Sequence, residues 1–539
     1  MADSQPFPER YDELHTSLKN ELGEILRKSK LIVGPTTRFI LNTMVVTDTE
    51  LIRKEIIGEK NDKPRKVVLM VGETGSGKTS LINAMINYIL GVRWEHKIWL
   101  EAAEANENQT ESQTTAVTVY EVYAKGSPFS LTVIDTPGQG DTRGLDKDKL
   151  IPETLQLLFR SEEGIHEIDA VCLVLKATDA RLHERQLYIL DEVLSLFGKD
   201  IEKHITILIT NANKTIPKKA LACIKEAKIP CAKTTNDQPV YFKFNNCQSE
   251  SYDEEDREIY KESWDSGIEN FQGFFAYLNG IHPKSLNMTE GVLRARKQLD
   301  ANVNNFMYRI KLTEIKKQEL TQTKEALNKL ENYREKHKNF EYEVDEPDWK
   351  LVKIKSSWWH LTTQATRCTV CKENCHYPGC WWVSDLSKCS VMSEQGKCIV
   401  CTEECLYTNH KKDDYIYEIK TKRVTRTKED LKKKYENDFE DKKKLETKLE
   451  NEIKCLETEK IRLVEECYQC FERLMETALK STSMSSIQHL DFIIEKMKET
   501  GKQERVLKLE ELKRRAQEEN KGLFGRLCHQ INKLWKDSA

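Results

Sequence analysis

Residues 66–80 read KVVLMVGETGSGKTS, and the fold follows from how this stretch is built. The unbroken apolar run Val67–Val71 has the pattern of a strand buried on both faces. It leads directly into G-x-x-x-x-G-K-[ST], with Gly72, Gly77, Lys78 and Thr79 in the defining places. The glycines let the backbone N–H groups of Glu73, Thr74, Gly75 and Ser76 wrap phosphate oxygens. A helix opening at Lys78, with Ser80 in its first turn, adds its positive end. Lys78 is placed to reach the β- and γ-phosphates, and Thr79 to offer its hydroxyl to Mg2+.

Outward from this loop, strands near 67–71, 117–123, 131–134, 170–175, 205–209 and 240–244 alternate with helices over 78–90, 146–160, 183–197 and 217–227. That rhythm predicts an α/β sheet covered on both faces, with its ligand at the carboxyl ends of the strands. The stretch LTVIDTPGQGD (131–141) ends a buried strand at Asp135, the acidic group expected to hold the metal through water. Gly138 is expected to present its N–H to the γ-phosphate, and Gln139 to orient the attacking water. In ESQTTAVTVY (111–120), Thr114 is the choice for a second metal-closing hydroxyl, with Thr115 as competitor. Lys78, Thr114 and Gln139 form the expected catalytic set, and Thr79, Thr114 and Asp135 the expected Mg2+ set.

The segments GETGSGKTS, VIDTPGQGD, ATDARLHERQLYILDEVLSLFG and ILITNAN together resemble the septin-like GTPases of the AIG1, or immunity-associated nucleotide-binding, type. The resemblance covers roughly residues 64–250 and extends to animal G-domain proteins carrying a cysteine-rich insertion such as CTVCKENCHYPGC. It implies a P-loop G domain that binds GTP/GDP with Mg2+, slow hydrolysis, and a switch governing dimerisation. One motif departs from the family. In place of [NT]KxD after the fifth strand stand Thr210, Asn211, Ala212 and Asn213. The usual Asp accepts from N1–H and the exocyclic amine of guanine, whereas Asn213 offers one acceptor and one donor. Asn245 and Asn246 are candidates to supply base contacts instead, and ATP use stays open.

Beyond residue 287 the apolar spacing becomes helical. Leu299, Val303, Phe306 and Ile310 start one stripe, and Leu449, Ile453, Leu456, Leu463, Cys467, Cys470 and Leu474 form a heptad seam. The expected architecture is α/β: a G domain with a long antiparallel helical (coiled-coil) arm, interrupted by a small β/zinc-binding module. Two helices dimerising in trans are the alternative. The expected divisions are N-terminal helices at 1–63, the G domain at 64–282 and a first arm helix at 285–339. A cysteine-rich tip module follows at 340–423, then a second arm helix at 424–480 and C-terminal helices at 487–539.

Sixteen cysteines are present, eight of them within residues 368–405. Such crowding favours metal thiolates over disulfides. The candidate ligands are Cys368, Cys371, Cys375, His376, Cys380, Cys389, Cys398, Cys401, Cys405 and His410, enough for two structural Zn2+ ions. Cys368, Cys371, Cys398 and Cys401 are expected on one ion, with the second drawing on the others. The spacing is not that of a RING domain, so it gives no support to ligase activity. Trp358, Trp359, Trp381 and Trp382 flank the knuckles, either as the module's core or as a contact for a protein partner at the tip.

With 85 basic and 88 acidic side chains the net charge is −3, which gives no sign of a nucleic-acid partner. No apolar run reaches membrane-spanning length and MADSQPFPER lacks a signal-peptide core, so a cytoplasmic protein is expected. Leu523, Phe524, Leu527, Ile531, Leu534 and Trp535 line one stripe. It either packs back on the helices or makes a peripheral membrane contact. The combined expectation is a GTP-hydrolysing switch, homodimeric or oligomeric through the G domain and arm. The alternative is a scaffold that binds nucleotide for structure only.

Overall fold

The computed structural model describes residues 21–32, 37–49, 51–102, 116–137, 150–161, 164–179, 181–182, 184–248, 250, 252–332, 341–354, 364–377, 379–380, 383–434, 442–481 and 484–519. Two compact units are present: Met1–Leu293 with Thr477–Met484 and Arg515–Ala539, and Arg294–Glu476 with Ser485–Arg514.

The first unit opens with helix α1 (Glu21–Lys28) and strands β1 (Lys30–Ile32), β2 (Thr37–Ile40), β3 (Met44–Asp48) and β4 (Ile52–Ile57). Residues 30–57 were expected to be helical, so this is a correction. The segment is rich in β-branched side chains (Val45, Val46, Thr47, Ile52, Ile56 and Ile57), which pack better on a pleated surface than on a helix. The P-loop strand β5 (Arg65–Val71) and helix α2 (Lys78–Ile89) follow, then β6 (Ile98–Glu101), β7 (Val117–Val122) and β8 (Ser130–Asp135). Next come α3 (Leu150–Arg160), β9 (Glu167–Ile168), β10 (Ala170–Lys176), α4 (Glu184–Leu194), β11 (Ile205–Thr210), α5 (Lys218–Glu226), β12 (Tyr241–Lys243) and α6 (Arg257–Gly280).

Eight strands join in the order β12-β11-β10-β5-β8-β7-β4-β3. From β12 to β8 every pairing is parallel. β7 turns antiparallel to β8, and β4 then pairs parallel with β7. Parallel strands with both faces covered should be apolar throughout, and β5, β10 and β11 bury nearly every side chain. One face packs Leu81, Met85 and Ile89 of α2 with Phe271, Phe274, Phe275 and Leu278 of α6. The other packs Ile151, Leu155 and Phe159 of α3 with Val193 and Leu194 of α4 and Ala220 and Ile224 of α5. Asp169 ties the P-loop strand down at its entry: its carboxylate accepts from Val67 N at 2.7 Å and from Lys66 Nζ at 3.0 Å.

The second unit holds most of α7 (Asn287–Asn332). It continues through β14 (Glu341–Lys353), β15 (Ala365–Cys368), β16 (Glu373–His376), β17 (His410–Asp413), β18 (Tyr415–Thr427), and helices α8 (Lys428–Lys434), α9 (Lys442–Thr477), α10 (Met484–Glu499) and α11 (Gln503–Glu519). Between β9 and this set, β13 (Lys284–Ser285) closes a two-stranded pairing in the first unit. The ion pairs Lys317–Glu457 (3.0 Å) and Lys324–Glu450 (2.8 Å) step seven residues up α7 as they step seven down α9, so the two helices lie antiparallel within one chain. Phe306 stacks edge-on against Phe492 of α10 at 5.4 Å, and His489 pairs with Asp300 at 3.0 Å. Residues 415–427 extend the expected short strand into ground assigned to the second helix, because Thr421, Val424, Thr425 and Thr427 favour extended backbone.

The cysteine segment does not sit at a helical tip. The ladder of β14 with β18 runs from Glu341↔Thr427 to Lys353↔Tyr415. Asp345 on it accepts from Gln318 (3.0 Å) and Gln322 (2.9 Å) of α7. Further along, Tyr308 donates to Lys372 O (2.7 Å), Asn305 to Glu373 (3.0 Å) and Gln298 to Ser390 O (3.0 Å). The ladder therefore carries the module back alongside residues 298–308. Thirteen strand residues reach about 43 Å at ~3.3 Å each, as far as roughly 28 helical residues at 1.5 Å. The sequence shows the connection but not its direction.

Candidate functional site

The P-loop begins where β5 leaves the sheet. A Cβ on Gly72 would lie 2.7 Å from Val174 O and 2.9 Å from Ser76 Oγ, so only glycine fits. Gly77 sits at φ 88°, in left-handed backbone, with the Thr210 side chain 3.2 Å from where a Cβ would be. Lys78 is buried, donating to Gly72 O at 2.6 Å and Glu73 O at 3.1 Å. Burial lowers its pKa to about 8, against the pull of Asp135 and Glu73 in the other direction. The hydroxyl of Ser76 is buried with no hydrogen-bond partner among the described residues.

Asp135 is buried at the end of β8, paired in register with Met70 of β5 and Thr118 of β7. Thr136 next to it donates to Met70 O at 2.8 Å, so the start of the DTPG turn is tied to the P-loop strand. Lys78 lies within electrostatic reach of Asp135 at the carboxyl edge of the sheet, and Thr79 follows it in the first turn of α2. Thr114, Thr115, Gly138 and Gln139 lie outside the described residues.

The base-reading candidates fall on two neighbouring loops. Asn211 adopts left-handed backbone (φ 50°), and Ala212 N donates to Phe244 O at 3.1 Å, joining the loop after β11 to the loop after β12. The Asn213 side-chain oxygen accepts from Thr215 N (3.1 Å) and Thr215 Oγ1 (2.6 Å), so it is already closing its own turn. Asn245 donates to Ser263 Oγ at 3.2 Å, whereas the Asn246 amide nitrogen is buried with no partner among the described residues. Thr210, which stands in the departing motif but has no role assigned to it from the sequence, links the two halves. Thr210 Oγ1 donates to Ser76 O at 2.6 Å and contacts Leu175 O at 3.3 Å, tying base loop to P-loop. Its place at a strand end just before NAN was the available signal.

In the second unit, ten cysteine and histidine donors gather into three groups. The first is Cys368, Cys371, Cys401 and Cys405; the second Cys375, Cys398, Cys401 and His410; the third His376, Cys380 and Cys389. All ten expected ligands are used, but the pairing differs: Cys398 does not join Cys368 and Cys371. The reason is strand pairing: β15 lies between β16 and β17, and the three-stranded sheet brings Cys375 and His410 from distant stretches to Cys398 and Cys401. The distances suit a tetrahedral metal. Cys371 and Cys405 sulfurs are 3.7 Å apart, and a tetrahedron with ~2.3 Å metal–sulfur bonds has edges of about 3.8 Å. His376 Nδ1 lies 3.3 Å from Cys389 Sγ and 3.6 Å from Cys380 Sγ. His410 Nδ1 faces Leu406 O at 2.9 Å, and this bond fixes the tautomer that leaves Nε2 free to ligate. Cys371 N donates to Cys368 Sγ at 3.3 Å, and Lys372, just after this knuckle, takes left-handed backbone (φ 55°). All described cysteines are free thiols. The flanking Trp358, Trp359, Trp381 and Trp382, and the carboxyl-terminal stripe from Leu523 to Trp535, lie outside the described residues. No helix among the described residues is long and apolar enough to cross a membrane.

Residues 66–255 match the AIG1 family model. That span resembles an AIG1-type P-loop domain, and it holds the P-loop, the parallel strand order and the strand ending in Asp135 described above. No curated protein sequence matches the chain. Among solved structures, Toc33 from Arabidopsis thaliana with Mg2+ and GMPPNP is 17% identical, covering 39% of this chain and 86% of that one, at a TM-score of 0.25. Toc33 with GDP and Mg2+ is 16% identical over 38% and 85%, at 0.26. Superpositions this loose carry no fold assignment, which rests on the strand order and the P-loop.

Proposed function

We propose that this chain is a GTP-binding switch that hydrolyses the nucleotide slowly with Mg2+ and dimerises through its G domain according to nucleotide state. The observation that carries the reading is the buried Lys78 ammonium, held among the described residues by the Gly72 and Glu73 carbonyls at the sheet edge, within electrostatic reach of Asp135. A cation kept there at a cost in desolvation gains most when phosphate oxygens approach it. Thr79 and Asp135 are the residues that would hold Mg2+, which supplies charge neutralisation across the β- and γ-oxygens. Guanine is favoured over adenine by Asn246, whose buried amide donor suits the O6 acceptor of guanine, where adenine presents an amino donor. Asn211, Asn213 and Asn245 lie on the same two neighbouring loops. Dimerisation rests on the family likeness.

The second unit serves the switch as a zinc-stabilised helical module, with zinc held by cysteine and histidine side chains in buried tetrahedral groups. Free thiols at the described cysteines support a reducing, cytoplasmic setting. With the cysteine module beside residues 298–308, the reason for expecting a partner at a hairpin tip is gone. A second reading, a scaffold whose nucleotide is structural, is favoured by one observation: the Asn213 oxygen is committed to Thr215. Binding and steady-state hydrolysis of GTP, ATP and xanthosine triphosphate, with Lys78→Ala as control, decide between the two. GTP turnover that disappears in the control supports the switch. Binding without turnover supports the scaffold.

A further inference from the structure

We propose that Cys401 is a shared ligand whose thiolate bridges two zinc ions, so that seven side chains close two tetrahedral sites. This rests on the reading that the cysteine segment binds zinc. Cys401 belongs to both four-donor groups: with Cys368, Cys371 and Cys405 on one side, and with Cys375, Cys398 and His410 on the other. Two separate tetrahedral ions need eight donors. Seven suffice when one sulfur serves both, and a thiolate has the lone pairs for two metal bonds. A single ion on the first group would strand Cys375, Cys398 and His410, all buried and mutually within 4.8 Å, without a cation. The third group, His376, Cys380 and Cys389, shares no residue with the other two and stands as an internal comparison.

The surroundings suit such a centre. Backbone N–H groups point at its sulfurs: Cys371 N and Cys401 N at Cys368 Sγ and Cys398 Sγ (3.3 and 3.5 Å), Val400 N at Cys398 Sγ (3.4 Å) and Cys405 N at Cys401 Sγ (3.3 Å). Six thiolates, one neutral imidazole and two Zn2+ carry a net charge of about −2, counting each Cys as S−. Arg309 from α7 is buried close enough to Cys371 and Glu373 to feel both charges. Every position on both ions is taken by protein, so the centre has no place for substrate and acts as a fold-holding clamp.

The test is zinc content together with zinc K-edge EXAFS on the full-length protein purified with zinc. A bridging sulfur with two ~2.3 Å bonds at a roughly tetrahedral angle puts the ions about 3.8 Å apart. The expected result is a zinc–zinc vector at that distance, lost in Cys401→Ala together with at least one ion and retained in His376→Ala. Protein that binds zinc without the vector overturns the bridge while leaving the zinc reading intact. Protein that purifies without zinc overturns the zinc reading itself. A vector that survives Cys401→Ala overturns the assignment to Cys401. Should Cys401→Ala fail to fold, the wild-type spectrum alone decides whether the ions share a sulfur.

Discussion

Replacing Lys78 by methionine keeps an unbranched side chain, one atom shorter, and removes its charge. The wild-type ammonium is buried, bonded to Gly72 O and Glu73 O, and burial lowers its pKa from 10.5 to about 8. At ~1.36 kcal/mol per pH unit this corresponds to about 3 kcal/mol against the charged form in the folded protein. Two hydrogen bonds lost in the variant offset about 2 kcal/mol of that. The nucleotide-free Lys78→Met protein should therefore match the wild type in stability at pH 7, or exceed it by about 1 kcal/mol. Triphosphate binding should behave oppositely. Two charge-assisted bonds to phosphate are worth about 1.5–3 kcal/mol each, so affinity should fall by roughly 10²–10⁴-fold. The pH dependence has a definite sign. Between about pH 8 and 10.5 the unfolded chain holds the Lys78 proton and the folded one does not, so this group makes wild-type stability rise with pH across that window. The variant should lose that rise. Urea unfolding at pH 7 and pH 9.5, with titration of a fluorescent GTP analogue, measures all three quantities. A loss of more than about 2 kcal/mol in the nucleotide-free variant, or an affinity change under tenfold, would refute the reasoning.

Wild-type nucleotide affinity should decline as pH rises above about 8, because Lys78 must be protonated before it meets phosphate; calorimetry from pH 7 to 9.5 checks the slope. Asn213→Asp keeps the acceptor that Thr215 uses and adds a second one for the guanine edge. Competition binding should show the GTP-to-xanthosine-triphosphate preference rising by about tenfold or more. Thr210→Val leaves Ser76 O without its 2.6 Å donor. A stability loss of about 1–3 kcal/mol is expected in denaturation, accompanied by weaker nucleotide binding. Asp169→Asn weakens the hold on Lys66 and Val67 N in a buried setting. Thermal unfolding should show one of the larger single-site losses in the domain, about 3 kcal/mol.

The P-loop, the strand ending in Asp135 and the ten metal-type donors were all legible in the sequence, because each depends on neighbours within a few residues. A run such as Val67–Val71 leading into a P-loop has the pattern of a doubly buried strand, and C-x2-C knuckles make their own N–H···S geometry. The four strands in 30–57 were not legible as such: β1 and β3 pair with their neighbours β2 and β4, but β2 and β4 are joined to the rest of the fold by β6 and β7, which come from far along the chain. Nor could spacing show that Asn213 spends its oxygen on Thr215, or that Thr210 reaches back to Ser76, across 134 residues. The division of the cysteines shows the same limit most clearly. Their number and order announced a metal module, but β15 pairing with both β16 and β17 decided which thiols meet, and the β14–β18 ladder decided that the module returns along α7. Local chemistry was written in the sequence. Which distant groups share a cation, or a face of a helix, was set by strand pairing and by the reach of extended against helical chain.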